Sequence, residues 1–253
     1  MSPTLPRLFA VALIAASACL GTAVQAQSFF QGFNDATLPA GWVPINRSTA
    51  ANTAAAGSWR TGTAIVDQDG NPVVNPHEGT AFALVSFQST NSTAATGATI
   101  SNWLLSPTLS LRNGDTFSFF TQTPPSSAFA DRLELRLSLS GSSTDVGTTP
   151  QSVGVFTTLL LTVNPNLTVG GYPETWTQFT ATITGLSGPT DGRFAFRYFV
   201  TDGGPQGNNS NIIGVDSVSY NAVPEPTTYA LFAGGALILL AVARRQRGAR
   251  ADA

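Results

Sequence analysis

Residues 131–140 read DRLELRLSLS. Leu133, Leu135, Leu137 and Leu139 fall at every second position, and Arg132, Glu134, Arg136 and Ser138 fill the places between. A period of two is the side-chain alternation of a β-strand; a helix would scatter the four leucines around its axis. The stretch predicts a half-buried antiparallel strand with its leucines inward and its charges in water. Residues 192–200, GRFAFRYFV, repeat the pattern, with Phe194, Phe196, Tyr198 and Val200 inward and Arg193 and Arg197 outward.

Working outward from these two, further runs rich in Thr, Val, Ile and aromatics read as strands. They are AFALVSF (81–87), TISNWLLSP (99–107), DTFSFFTQ (115–122), VFTTLLLTV (155–163), ETWTQFTATI (174–183) and NIIGVDSVSY (211–220). No stretch before residue 229 has the periodicity of a three-turn helix, and prolines and glycines punctuate the connections. Ten to twelve strands with no fixed-period repeat predict an all-β fold: a single antiparallel β-sandwich of jelly-roll type.

Composition agrees. Charged residues are only 10 % of the 253, and all 12 basic residues are arginine. Between Gln27 and Val223, 12 acidic residues face 7 arginines, a net charge of −5. That balance argues against a nucleic-acid partner, which calls for a basic face.

The two ends read as targeting segments. Arg7, the apolar run Leu8–Leu20 and the small residues of Val24-Gln25-Ala26 predict a signal peptide over 1–26, cut by signal peptidase between Ala26 and Gln27 after engaging the export machinery. Cys19, the only cysteine, lies inside that run, so no disulfide is expected in the exported domain. At the other end stand Val223-Pro224-Glu225-Pro226, an apolar helix over 227–243, and a basic tail over 244–253 with Arg244, Arg245 and Arg247. Tyr229–Ala243 is uncharged, and its 15 residues would span roughly 22 Å as a helix. That is shorter than a usual permanent anchor but enough for transient membrane residence, with the arginines left inside. The order Pro-Glu-Pro, apolar helix, arginine cluster resembles the PEP-CTERM sorting signal. The resemblance implies an exosortase-type transpeptidase as partner, transient membrane anchoring, and a final place at the cell surface or in the extracellular matrix, beside exopolysaccharide.

Residues 27–222 remain as the folded domain. In order they carry FNDATLPAGW, GSWRTG, HEGTAFALVSF, SNWLLSPTLSL, DRLELRLS, GYPETWTQFT, FAFRYFVTDGG and IIGVDSVSY. This series resembles the choice-of-anchor J domain, akin to cleaved-adhesin and MAM-type jelly rolls. The resemblance implies a fold, a surface location and a non-catalytic structural or adhesive role. It also implies a structural calcium ion, held by an acidic residue after the first strand and an Asp on the last. Asp216 matches the second; Asn34, with Asp35 beside it, stands at the first.

Catalysis finds little footing in the residue types. His77 is the only histidine, and no Gly-x-Ser-x-Gly surrounds any serine. His77-Glu78-Gly79 reads as a turn into the next strand, and Asp67-Gln68-Asp69-Gly70-Asn71 as a turn between strands. A glycoside hydrolase would need two of the scattered carboxylates to meet. The remaining alternative is a carbohydrate-binding module taking exopolysaccharide or another surface glycan. Trp42, Trp103 and Trp176 sit in the family motifs and are expected in the core, which leaves Trp59, in Gly-Ser-Trp-Arg, as the candidate exposed sugar platform.

Overall fold

The computed structural model describes residues 28–94 and 96–224. The signal-peptide segment and its cut at Ala26/Gln27, the Glu225-Pro226 half of the sorting motif, the C-terminal apolar helix and the arginine tail lie outside the described residues. The described chain is built of strands: β1 Phe29–Gln31, β2 Val43–Asn46, β3 Arg60–Gly62, β4 Ile65–Val66, β5 Pro72–Val74, β6 Phe82–Ser86 and β7 Ala98–Leu105. There follow β8 Leu109–Leu111, β9 Thr116–Gln122, β10 Leu133–Ser138, β11 Thr158–Val163, β12 Thr177–Thr182, β13 Thr190–Gly203 and β14 Ile212–Asn221. Two single-turn 3-10 segments, Ala55–Gly57 and Phe87–Ser89, are the helical exceptions. Among the described residues no helix is long and apolar enough to cross a membrane.

Two antiparallel sheets face each other. The first runs β12-β9-β14-β6-β3, with β1 also on β14; the second runs β11-β10-β13-β7-β2, with β8 also on β13. The fold is thus the all-β antiparallel sandwich that the alternating stretches predict. Leu133, Leu135 and Leu137 point into the core from β10, and Phe194, Phe196, Tyr198 and Val200 from β13. Phe117 and Phe119 meet them from the first sheet: Phe117 stacks on Phe194 at 4.2 Å between ring centres, and Phe119 meets Phe196 edge-on at 4.8 Å. Such pairs add to the burial of two large rings, the main stabilising contribution of a core without disulfides.

The outward face of β10 and β13 departs from expectation. Glu134 and Arg197, read as solvated, are buried, and Arg197 is only 2 % exposed. The cause is the long connection 139–157, which folds back over the second sheet. Its Val146, Val153, Val155 and Phe156 pack on Trp103, Leu105 and Ala195 as a second small core. Arg197 is the rivet beneath it. Its guanidinium lies 3.7 Å from the Phe199 ring centre and 4.9 Å from that of Trp103. It donates to Glu134 Oε2 at 3.1 Å, to Ser101 Oγ at 3.1 Å and to the Pro150 carbonyl in the covering segment at 2.6 Å. Leu139, expected inward, lies just past the end of β10 and is exposed.

The first sheet has its own cover. The β4–β5 hairpin lays Ile65 and Val74 on Phe82 and Leu84. Its turn is the Asp-Gly turn read from sequence, closed by Asp67 Oδ1 accepting the N–H groups of Asp69 at 2.9 Å and Asn71 at 2.8 Å. In β14 a bulge after Asp216, with Ser217 at φ +49°, shifts the register. It allows Val215 and Val218 both to enter the core although they are three residues apart.

Candidate functional site

The cover on the first sheet leaves a groove of about 690 Å³ beside the hairpin, at the end of the sheet where β14 begins. Its apolar floor is Leu84 of β6, Ile212 of β14 and Val73 of β5, and Pro124 and Pro125 form one wall. Polar groups ring it: Arg60, Asp67, Gln68, Gln88 and Asn211. The alternation of β3 and β6 places Arg60 and Leu84 on the outer face, opposite each other in register. The Phe87–Ser89 turn ends β6 and brings Gln88 to the rim.

Arg60 is half-buried, and among the described residues no carboxylate lies within ion-pair distance of it. Its Nη1 donates to the Ala56 carbonyl at a long 3.4 Å, and burial holds its pKa below the usual arginine value. The Asp67 carboxyl is held below the ordinary carboxylate range, chiefly by the Asn71 N–H, so it is ionised at neutral pH. The groove therefore offers one cation free to donate in a fork, one anion committed to its own turn, and three planar amides.

On the same face lies a ledge of rings. His77 stacks on Phe120 at 3.7 Å with 19° between planes, and Trp176 meets His77 at 6.0 Å and Phe82 edge-on at 5.5 Å. Trp176 lies across Gly214, where a Cβ would stand 2.9 Å from its Cη2 and 2.8 Å from Phe82 Cε2. The Trp176 indole N–H donates to the Asn75 carbonyl at 2.9 Å, which fixes its orientation.

The tryptophan expectation holds for Trp42 and Trp103, both buried, and is inverted for the other two. Trp59 is buried, 2 % exposed, with its indole N–H donating to the Asn102 carbonyl at 3.2 Å. It packs against Phe196 inside the sandwich, where the chain enters β3. Trp176, expected in the core, is half-exposed. A polar neighbourhood in sequence, Glu174-Thr175-Trp176-Thr177-Gln178, was its only signal, and Arg60 and Asn211 had none.

The residues named for calcium face a different task. Asn34 Oδ1 accepts the N–H groups of Thr80 at 2.6 Å and Ala81 at 3.2 Å. Asp216 Oδ2 accepts those of His77 at 2.9 Å and Glu78 at 3.1 Å, and its Oδ1 that of Ser217 at 2.6 Å. Together they grip both ends of the 77–81 turn, in which Gly79 approaches Asn34 so closely that a Cβ would lie 2.1 Å from its Oδ1. Asp35 lines a shallow surface depression with Asn34 and Thr80. Calcium takes six to eight oxygens; here the two side chains present theirs to N–H donors, and no group of three His, Cys, Asp or Glu gathers among the described residues. As arranged, this donor set does not fit the ion. Burial raises the Asp216 carboxyl above the ordinary range, with the Glu78, Ser217 and His77 N–H groups opposing.

The family model for the PEP-CTERM protein-sorting motif matches residues 222–247. The motif marks an exported protein, processed by an exosortase and sorted to the cell surface. Among solved structures, the K3 cleaved adhesin domain of Lys-gingipain from Porphyromonas gingivalis is 18 % identical over 78 % of this chain and 98 % of its own, with a TM-score of 0.50. The K1 domain of the same protein is 21 % identical over 78 % and 99 %, at 0.49. A family 22 carbohydrate-binding module of Clostridium thermocellum Xyn10B is 13 % identical over 77 % and 92 %, at 0.38. At these identities the likeness is one of fold. No curated protein matches the chain.

Proposed function

We propose that the exported sandwich is a non-catalytic adhesive domain of the choice-of-anchor J kind, which holds a surface or matrix glycan in the groove beside the β4–β5 hairpin. The observation that carries this reading is the groove's lining. An apolar floor, three planar amides and the unpaired Arg60 make a surface that hydroxyls and ring faces of a sugar chain can satisfy. Carboxylates support the non-catalytic half. Glycoside hydrolysis takes a pair of them, and the groove has one, Asp67, already engaged in its own turn. Asp115, Asp131 and Asp216 are buried and serve as acceptors for structural N–H and O–H groups.

The test is calorimetric titration of the domain with exopolysaccharide from the producing cells, and with xylan and β-glucan as defined glycans. Wild type is expected to bind one of them, and Arg60→Ala to weaken that binding about tenfold or more, at the scale of a charge-assisted hydrogen bond. Binding that ignores both Arg60→Ala and Gln88→Ala would place the glycan elsewhere, and release of reducing ends would make the domain an enzyme.

A further inference from the structure

The last described residues are tied down by the domain itself. The Val223 N–H donates to Asp115 Oδ1 at 2.8 Å, and the Ala222 N–H to Ser28 Oγ at 3.0 Å. Asp115 is fully buried in the turn between β8 and β9, and its Oδ2 accepts the Arg112 N–H at 2.7 Å and the Tyr220 hydroxyl. Gly114 in that turn, at φ +91°, lets the Val223 side chain lie against it: a Cβ there would stand 3.2 Å from Val223 Cγ2. One strand further in, β1 pairs with the end of β14, Phe29 opposite Tyr220 and Gln31 opposite Val218. The match to the sorting motif begins at residue 222. No spacer separates fold from signal.

An enzyme that cuts a peptide bond holds the chain around it as an extended strand, through backbone hydrogen bonds. At 222 and 223 those N–H groups are already taken, one by a buried carboxylate. We infer that Asp115 and Ser28 form a clamp that sets how far upstream the exosortase can reach, so that the enzyme takes the chain from Pro224 onward and leaves the sandwich whole. The product then carries no flexible linker between the domain and its new C-terminus. Asp115 and Ser28 are positioning residues: they touch the substrate segment from the domain's side and take no part in the cut.

On the glycan reading, the clamp also sets orientation. The groove touches Ile212 at the start of β14 and the clamp holds the residues after Asn221 at its end, roughly 30 Å away at ~3.3 Å per residue. A domain attached at Pro224 therefore turns its groove away from the attachment point.

The experiment expresses the full chain with an exosortase in a bacterial host and reads two quantities. Intact mass gives the C-terminal residue of the processed product, and hydrogen exchange gives the protection of the 222 and 223 amides. Wild type is expected to end at Pro224 or later with both amides protected. Ser28→Ala with Asp115→Ala, which removes both side-chain acceptors, is expected to speed their exchange about ten- to a hundredfold and to yield products ending at Val223 or earlier. Where Asp115→Ala fails to fold, Ser28→Ala alone, a change at the surface, reads the Ala222 amide and the product ends. A wild-type product ending at Val223 or earlier, unprotected amides in the folded protein, or an unchanged end point once the amides are freed would each overturn the clamp. None of these depends on glycan binding.

Discussion

Arg197→Met is the sharpest probe of how this sandwich holds its covering segment. The substitution keeps the apolar stem between Trp103 and Phe199 and removes the guanidinium. Four acceptors then lose a donor: Glu134 Oε2, Ser101 Oγ, the Pro150 carbonyl and, at a long 3.5 Å, the Ser152 carbonyl. The opposing contribution is desolvation, which pushes the Arg197 pKa down to about 10, well below the usual arginine value, against the raising effect of Glu134. At 1.36 kcal/mol per pKa unit, the charged form is disfavoured by about 3 kcal/mol relative to water. Breaking a buried ion pair by removing one partner costs ~3–5 kcal/mol when the other charge is stranded. Glu134 is not stranded, because Arg136 Nε stays at 2.6 Å. The relief of desolvation and the surviving pair bring the expected loss to about 1–2 kcal/mol. For a domain of this size that is a fall in Tm of roughly 2–8 °C. The site-specific readout is limited proteolysis under native conditions. Cleavage within 139–157 should rise well before the rest of the sandwich is attacked, since only Arg197 joins the Pro150 carbonyl to the sheet by its side chain. An unchanged Tm together with continued protection of 139–157 would refute the reasoning and assign the cover's stability to Val146 and Phe156 packing and to the Arg47 and Arg136 side chains, which donate to the Gly147 and Phe156 carbonyls.

The buried carboxyls should show in the pH dependence of stability. Asp131 and Asp216 both have carboxyl pKa values raised by burial. A raised carboxyl binds its proton more tightly in the folded state, so its contribution is fully present below ~3.8 and is lost as pH rises through the folded value. Melting curves should accordingly show these two groups favouring the fold as pH is lowered from 7 toward 4; Asp131→Asn and Asp216→Asn should each flatten that dependence. Because the Asn34 and Asp216 oxygens face N–H donors, a chelator is expected to leave Tm unchanged, and a drop of several degrees in EDTA would assign calcium to them. Trp59→Phe removes the indole N–H from the buried Asn102 carbonyl and should cost about 0.5–1.5 kcal/mol in denaturant unfolding, with glycan affinity untouched; a loss of affinity without a loss of stability would return Trp59 to the binding surface.

The sandwich was legible in residues 131–140 and 192–200 because side-chain alternation is a local property: each residue's face is set by its neighbour's. The sorting signal was legible for a similar reason, since its parts lie consecutively along the chain. What alternation cannot say is what covers the outer face. Glu134 and Arg197 read as solvated, and only the return of 139–157 over the second sheet buries them. The fate of the tryptophans turns on the same difference. Trp59 goes inward and Trp176 outward because of their places just before β3 and just before β12, and because Gly214, 38 residues downstream of Trp176, leaves room for the indole. The groove is further from the sequence still: Arg60, Gln88, Pro124 and Asn211 come from four segments that meet only when β3, β6, β9 and β14 are laid side by side. The clamp needs Ser28, Asp115 and Val223 to converge from the start, middle and end of the domain. Hydrophobic periodicity is written along one strand at a time, whereas a site is written across strands. The sequence by itself therefore determined the layers and the address, and only the tertiary structure, through long-range pairing, decided which surfaces stay open and how close to the signal the fold's own hydrogen bonds run.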